Sequence, residues 1–216
     1  MSSNVAMCVY FDKAFKDTQQ IVETINKRYC KKHNIKYITQ YDGVNLSSYS
    51  GKYKDYYHKF FLARDVLVTN DFDYVFMLDA DAVVLDHDID IRIFTKMTDK
   101  DIMICAAEDG KDDISWNVNT GSIIFSNNKK VITFLMSYFQ GASTNNYELN
   151  DQDLFQFMMK AKMTDIVSVF PSKAFNGQGQ FIYHACNHST LYEDVETAIN
   201  KKNDTLKKVI KNEHIL

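Results

Sequence analysis

Short apolar runs bounded by polar residues alternate along this chain with longer stretches in which apolar residues recur every three to four positions. The runs have the profile of strands buried on both faces of a sheet, and the 3.6-residue stretches that of helices packed on it by one side. Residues 5–11 (VAMCVYF) predict a first strand. Asp17, Thr18, Gln19 and Gln20 have the pattern of a capping box. After them Ile21, Val22, Ile25 and Tyr29 fall on one helical face. Residues 36–40 predict a second strand, completing the strand–helix–strand unit that builds parallel sheets. Residues 43–54, polar and rich in Ser and Tyr, predict a loop at the ligand edge. Residues 55–68 fit a helix, with Phe60, Phe61, Ala63, Leu67 and Val68 available for burial.

The pattern continues with a strand at 74–78 (YVFML), apolar residues again at 82–85, and a short helix at 89–94. Strands follow at 102–107 and 122–125, a helix at 128–139, a loop at 140–147, and a helix opened by Asn150 through 159. A strand at 166–170, an apolar run from 181 that ends in His184 and His188, and a lysine-rich helix at 194–216 complete it. The succession predicts one α/β domain over residues 1–216, with a mostly parallel central sheet flanked by helices. The last helix packs on that domain or leads to further domains of a longer polypeptide.

Composition narrows the class. Apolar content of 45% and 13% aromatic residues belong to an ordered globular protein, and a single proline leaves little for an interdomain linker. A formal charge of −3 gives no electrostatic basis for nucleic-acid binding. Four scattered cysteines without a C-x-x-C pair suit buried thiols in a reducing compartment. The early apolar run is too short for a signal peptide or membrane span, which predicts a cytoplasmic, soluble protein.

Candidate chemistry concentrates in two stretches. Asp79 and Asp81 stand two apart at the carboxyl end of a buried strand, where open α/β sheets bind ligands. On one side of an extended chain their oxygens can share a divalent cation. Without a cation, mutual repulsion is expected to drive a proton onto one of them. The second stretch holds Asn117, Asn119 and Thr120 just before Gly121, neutral donors and acceptors suited to hydroxyl-rich ligands. Asp151, Gln152 and Asp153 open a later helix, and two acids plus an amide exceed what a cap needs. Gly177 and Gly179 lack the strand–turn–helix setting of a dinucleotide site.

In this order the features resemble the GT-A-fold, metal-dependent glycosyltransferases. The likeness is to the retaining galactosyl- and xylosyltransferase-like and glycogenin-like groups, in a short form suggesting a microbial or viral member. The resemblance implies a UDP-sugar donor, Mn²⁺ (or Mg²⁺) as cofactor, and a glycan or glycoprotein acceptor. It implies that Asp79, Asp81 and His184 hold the metal, with His188 excluded, and that Asp79 also serves the donor. Tyr10 and Phe11 then contact the uracil, Lys59 and Arg64 the diphosphate and donor sugar, and Asn119 and Gly121 the sugar pocket. Asp151, Gln152 and Asp153 stand nearest the reacting carbon.

Two rivals remain on sequence grounds. A sugar-phosphate nucleotidyltransferase usually carries a Gly-rich basic loop after the first strand, where this chain reads Tyr-Phe-Asp-Lys-Ala-Phe. A non-catalytic nucleotide-sugar or glycan-binding module needs no intact set of Asp79, Asp81, Asp153 and His184.

Overall fold

The computed structural model describes residues 3–69, 71–107, 117–161, 164–175 and 181–185, with positions 204 and 208. Apart from positions 204 and 208, the expected helix at 194–216 lies outside the described residues, as do Cys186, His188, Gly177 and Gly179.

Six strands form the central sheet: β1 (Val5–Tyr10), β2 (Lys36–Gln40), β3 (Tyr74–Leu78), β5 (Ile102–Ala106), β6 (Val118–Ser126) and β7 (Val167–Phe170). Their spatial order is β2-β1-β3-β6-β5-β7. β1 lies parallel to β2 and β3, and β5 parallel to β7. β6 alone runs antiparallel to its neighbours β3 and β5. A two-stranded ribbon pairs β4 (Ala82–Val84) with β8 (Ile182–His184) at the edge where β3 ends.

The period-2 alternation of the strands divides two cores. From β1 and β3, Ala6, Cys8, Val75 and Met77 face one side, packed by α2 (His58–Val68), α4 (Lys129–Thr144) and α5 (Asp151–Lys160). Met7, Val9, Phe76 and Leu78 face the other, with α1 (Lys16–His33), α3 (Arg92–Lys96) and the ribbon. Burial on both faces explains why these strands read as continuous apolar runs.

Four local expectations change. α1 begins at Lys16, so Asp17 stands inside its first turn; a 3₁₀ turn over Lys13–Phe15 leads into it with no side-chain cap. α3 starts at Arg92 because Asp90 Oδ1 accepts the Arg92 N–H at 3.0 Å, closing a turn ahead of it. α4 runs on to Thr144 through the expected loop, since Tyr138, Phe139 and Ala142 continue its buried stripe. β6 starts four residues earlier than the apolar pattern indicates, because Val118 and Asn119 pair with Ala106 and Cys105 across a register shift in β5. Asn119, Thr120 and Gly121 therefore belong to the strand rather than to a turn before it.

Phe60 is fully buried, its ring 4.8 Å from that of Tyr138. Phe60→Ala is expected to cost about 3–5 kcal/mol, read as a lower urea midpoint at unchanged slope.

Candidate functional site

β3 stops at Leu78, and Asp79 extends its pairing by donating its N–H to the Gly121 carbonyl at 2.8 Å. The Ala82 N–H then returns to the Asp79 carbonyl (3.1 Å), making a tight turn that carries Asp79 and Asp81. The ribbon places His184 opposite Ala82, and Ala185 donates to the Asp81 carbonyl at 3.0 Å. The result is a cluster in which one ligand atom each from Asp79, Asp81 and His184 lies within 4.8 Å of the others. His184 Nε2 is 3.1 Å from Asp81 Oδ1 and 3.4 Å from Asp79 Oδ2. Asp81 and His184 are buried, whereas Asp79 keeps part of its surface.

Behind this cluster stands Lys59, from the first turn of α2. Its ammonium is 2.6 Å from Asp79 Oδ1 and 2.8 Å from Asp151 Oδ2, and it donates to the Thr120 carbonyl at 3.2 Å. The Thr120 hydroxyl donates to the same Asp151 oxygen at 2.7 Å. Burial works against the charged lysine, but the carboxylates of Asp151 and Asp79 outweigh it and raise its pKa above the ordinary lysine value. Burial also works against the Asp79 carboxylate; Lys59 and then His184 overcome this and lower its pKa. The expectation that repulsion by Asp81 would protonate the pair is thus reversed at Asp79, because an ammonium supplies the missing positive charge.

The donor set fits a divalent metal. Two carboxylates and an imidazole suit a first-row divalent ion. Formally, the carboxylates of Asp79, Asp81 and Asp151 against one ammonium leave two negative charges at the site. Gly121 makes room for the imidazole: a Cβ there would fall 2.0 Å from His184 Cε1 and 2.5 Å from Nδ1.

The other residues singled out by sequence divide. Asp151 joins the cluster from the start of α5, but Asp153 does not. Asp153 is exposed and forms a reciprocal cap with Asn150, its N–H and carboxylate each meeting the Asn150 side chain at 2.7 Å. Gln152, half-buried, sits between them on that first turn. The Asn119 side chain accepts the Gly121 N–H at 2.7 Å. Tyr10 ends β1 with its ring 4.9 Å from that of His58; burial first, then nearby aspartates, push its pKa up to about 12. Phe11 is buried next to it. Arg64 has other partners, pairing with Asp65 and lying over the rings of Phe61 and Phe139.

Several supporting residues escaped the sequence reading. The fully buried Asn26 clamps β4, donating to the Ala82 carbonyl (3.1 Å) and accepting the Val84 N–H (2.9 Å). Its signal is a polar residue four after Val22 on the apolar stripe of α1. Tyr57 donates to the carbonyls of Leu149 and Asn150, and Tyr138 to that of Asp151, holding the start of α5 from behind. His58 Nδ1 accepts the Val44 N–H at 3.2 Å, and its ring fills the space beside Gly43.

Solved structures share this architecture. The chain superposes on a glycosyltransferase involved in glycosylation of the major capsid of PBCV-1 with a TM-score of 0.73 at 11% identity, covering 95% of this chain and 99% of that one. The galactosyltransferase LgtC, solved with donor and acceptor sugar analogs, gives 0.53 at 11% identity, covering 96% and 99%. Mouse xyloside xylosyltransferase 1 gives 0.51 at 12% identity, covering 88% and 100%. The fold is therefore that of the GT-A glycosyltransferases. No protein-family model and no curated sequence matches the chain. Among the described residues, no helix is long and apolar enough to cross a membrane.

Gly121→Ala is expected to push the His184 ring aside and weaken divalent-metal binding about 10- to 100-fold, read by titration with Mn²⁺ as a paramagnetic probe. His58 gives a pH prediction. Burial holds its folded-state pKa below the ordinary 6.5, despite an opposing pull from Asp55. Below that value the unfolded chain takes up a proton that the folded state refuses. Stability therefore falls as pH drops from about 6.5 to the folded pKa and levels off beneath it. In His58→Gln that part of the slope disappears, as denaturant titrations at pH values across this range would record.

Proposed function

We propose that this chain is a metal-dependent glycosyltransferase that moves a sugar from a UDP-sugar to a glycan or glycoprotein acceptor with retention of configuration. The observation that carries the reading is the Asp79–Asp81–His184 cluster, backed by a buried Lys59, at the carboxyl edge of a GT-A sheet. Asp79, Asp81 and His184 are the residues to hold the metal. An imidazole in the set favours Mn²⁺, with Mg²⁺ the second choice. Bound there, the ion supplies positive charge against the diphosphate that leaves the anomeric carbon.

The chain's own groups account for the rest. Lys59, with its raised pKa, stays charged across the physiological range and adds a fixed positive charge beside the metal ligands. It also orients Asp79 through one carboxylate oxygen while the other faces His184. Tyr10, half-buried at the end of β1, takes the uracil, while the Phe11 ring is buried and supports the strand end from behind. Lys59 is the basic group for the diphosphate, because Arg64 is held by Asp65 and by the rings of Phe61 and Phe139, away from the cluster. Asn119 and Gly121 line the sugar pocket. As the departing diphosphate leaves the sugar positively charged, Asp151, Gln152 or Asp153 stabilises that charge from the first turn of α5. Gln152 or a neighbouring acid stands beneath the anomeric carbon in a retaining pathway.

Calorimetric titration of UDP, UDP-glucose, UDP-galactose and UDP-xylose, each with manganese and with chelator, tests the proposal. Manganese-dependent binding selective for one sugar is expected, and absence of binding under both conditions would remove it. Asp81→Ala should abolish metal-supported UDP binding. Gln152→Ala should lower donor hydrolysis at least about tenfold while leaving donor affinity within about twofold; equal losses would assign Gln152 to ground-state binding.

A further inference from the structure

A groove of about 770 Å³ runs between residues 44–49 and the outer face of α4. That volume lies within the roughly 300–1,000 Å³ of ligand pockets. Thr133, Met136, Ser137, Gln140 and Ser143 line it from α4, at offsets of 0, 3, 4, 7 and 10 and so on one face of the helix. Asn45, Ser48 and Tyr49 face them from the loop, and Tyr147 closes one end. A quarter of the whole chain is charged, yet none of the fourteen lining residues is. Arg64, stacked on the lining residues Phe61 and Phe139, is already paired with Asp65. The groove therefore offers side-chain hydroxyls, amides, the half-buried ring of Tyr49 and a half-exposed methionine, and the cations beside it, Arg64 and Lys54, are held by Asp65 and by the Tyr49 carbonyl.

A second feature of the same wall is strain. Asn146 and Tyr147 both lie in the left-handed region, at φ 55 and 59. For a residue as bulky as tyrosine this is an outlier costing on the order of 1–3 kcal/mol, and such strain gathers at ligand clamps and active sites. Here it turns the Tyr147 ring edge-on to Tyr49 (4.8 Å) and Tyr57 (5.0 Å). The junction is locked from the loop side. Gly51 lets the backbone approach so closely that a Cβ would fall 1.8 Å from the Asn146 carbonyl oxygen, and Asn146 Nδ2 donates to the Ser50 hydroxyl at 2.8 Å.

We propose that this groove binds an uncharged stretch of oligosaccharide. A pyranose ring presents a flat C–H face to an aromatic ring and a rim of hydroxyls to amides and hydroxyls that both donate and accept. Anionic glycans and phosphorylated ligands find no positive partner in the lining. None of the lining residues belongs to the Asp79–Asp81–His184 cluster, so binding requires neither UDP nor metal. Only the role of the bound glycan as acceptor rests on the glycosyltransferase reading. Tyr147 links the two regions: it walls the groove and packs on Tyr57, whose hydroxyl holds the backbone just before Asp151.

The test uses neutral gluco-, galacto-, manno- and xylo-configured hexasaccharides, with hexagalacturonate as anionic control. Binding is followed by ligand-observed NMR and calorimetry in chelator. At least one neutral hexasaccharide is expected to bind with a Kd below about 1 mM. Ser137→Arg, at an exposed position of α4, is expected to weaken that binding at least about tenfold while thermal stability and UDP–manganese affinity stay unchanged. The proposal is overturned if no neutral hexasaccharide binds, if hexagalacturonate binds as tightly, or if Ser137→Arg binds as the wild type does. It is also overturned if the wild type sediments as a dimer that Ser137→Arg dissociates, since a second copy then fills the groove. Failure of the donor reading has a different signature, loss of UDP binding with glycan binding intact.

Discussion

The contact on which the site depends is the Lys59 ammonium held between Asp79 and Asp151. It joins the start of α2, the end of β3 and the start of α5, and through the Thr120 carbonyl it reaches β6 as well. With so little solvent around it, loss of one partner strands a buried charge, which typically costs about 3–5 kcal/mol. The same contact fixes the charge state of the metal-ligand pair. Asp79 presents one oxygen to Lys59 and the other towards His184, so it stays ionised beside Asp81. A site lacking the ammonium would relieve the repulsion by taking up a proton and would thereby lose a ligand.

Topology brings the groups of that site together. β6 is antiparallel to β3, so its amino end meets the carboxyl end of β3, and Asn119, Thr120 and Gly121 arrive beside Asp79. A parallel β6 would carry the same residues to the opposite edge of the sheet. Gly121 then has a specific duty: it leaves the space that the His184 ring fills. His184 is delivered by a ribbon of only three residues per strand, too short to be stable alone. Asn26 supplies the missing anchorage by satisfying the Ala82 carbonyl and the Val84 N–H from α1.

Much of this was legible in the sequence, and the limits have physical causes. Runs buried on both faces announce themselves, which is why β1, β3 and β5 fall where the apolar pattern puts them. Asp79 and Asp81 are legible as a cation-sharing pair from their spacing, His184 joins them only through the resemblance, and the fold brings all three within 4.8 Å of one another. The start of β6 was missed because its ligand-edge residues are polar, and a polar strand end has the composition of a turn. Lys59 carried no distinguishing mark, since a lysine on a helix normally reads as a solvated charge; only the convergence of two distant carboxylates makes it central. Conversely, Asp153 reads as surplus acid at a helix start, whereas its carboxylate accepts from Asn150 Nδ2 and so steadies the side chain that caps the first turn.

The loop after β2 shows how far sequence pattern falls short when the determinants are pairwise. Residues 41–53 carry no periodic signal, yet they are tied down, and two of the ties lie beside the site. His58 accepts the Val44 N–H with a nitrogen that must be unprotonated, and Gly51 fits against the strained Asn146–Tyr147 corner. Neither tie is visible without knowing which segments meet. Both ties anchor the loop next to elements that build the site: His58 precedes Lys59 on α2, and the corner at Tyr147 precedes the start of α5 that carries Asp151. Displacement of the loop is thus coupled, through Tyr57 and Tyr147, to the backbone that holds Asp151 against Lys59. The strain at Tyr147 is offset by that arrangement, in which a single tyrosine ring serves the groove, the loop and the base of the site.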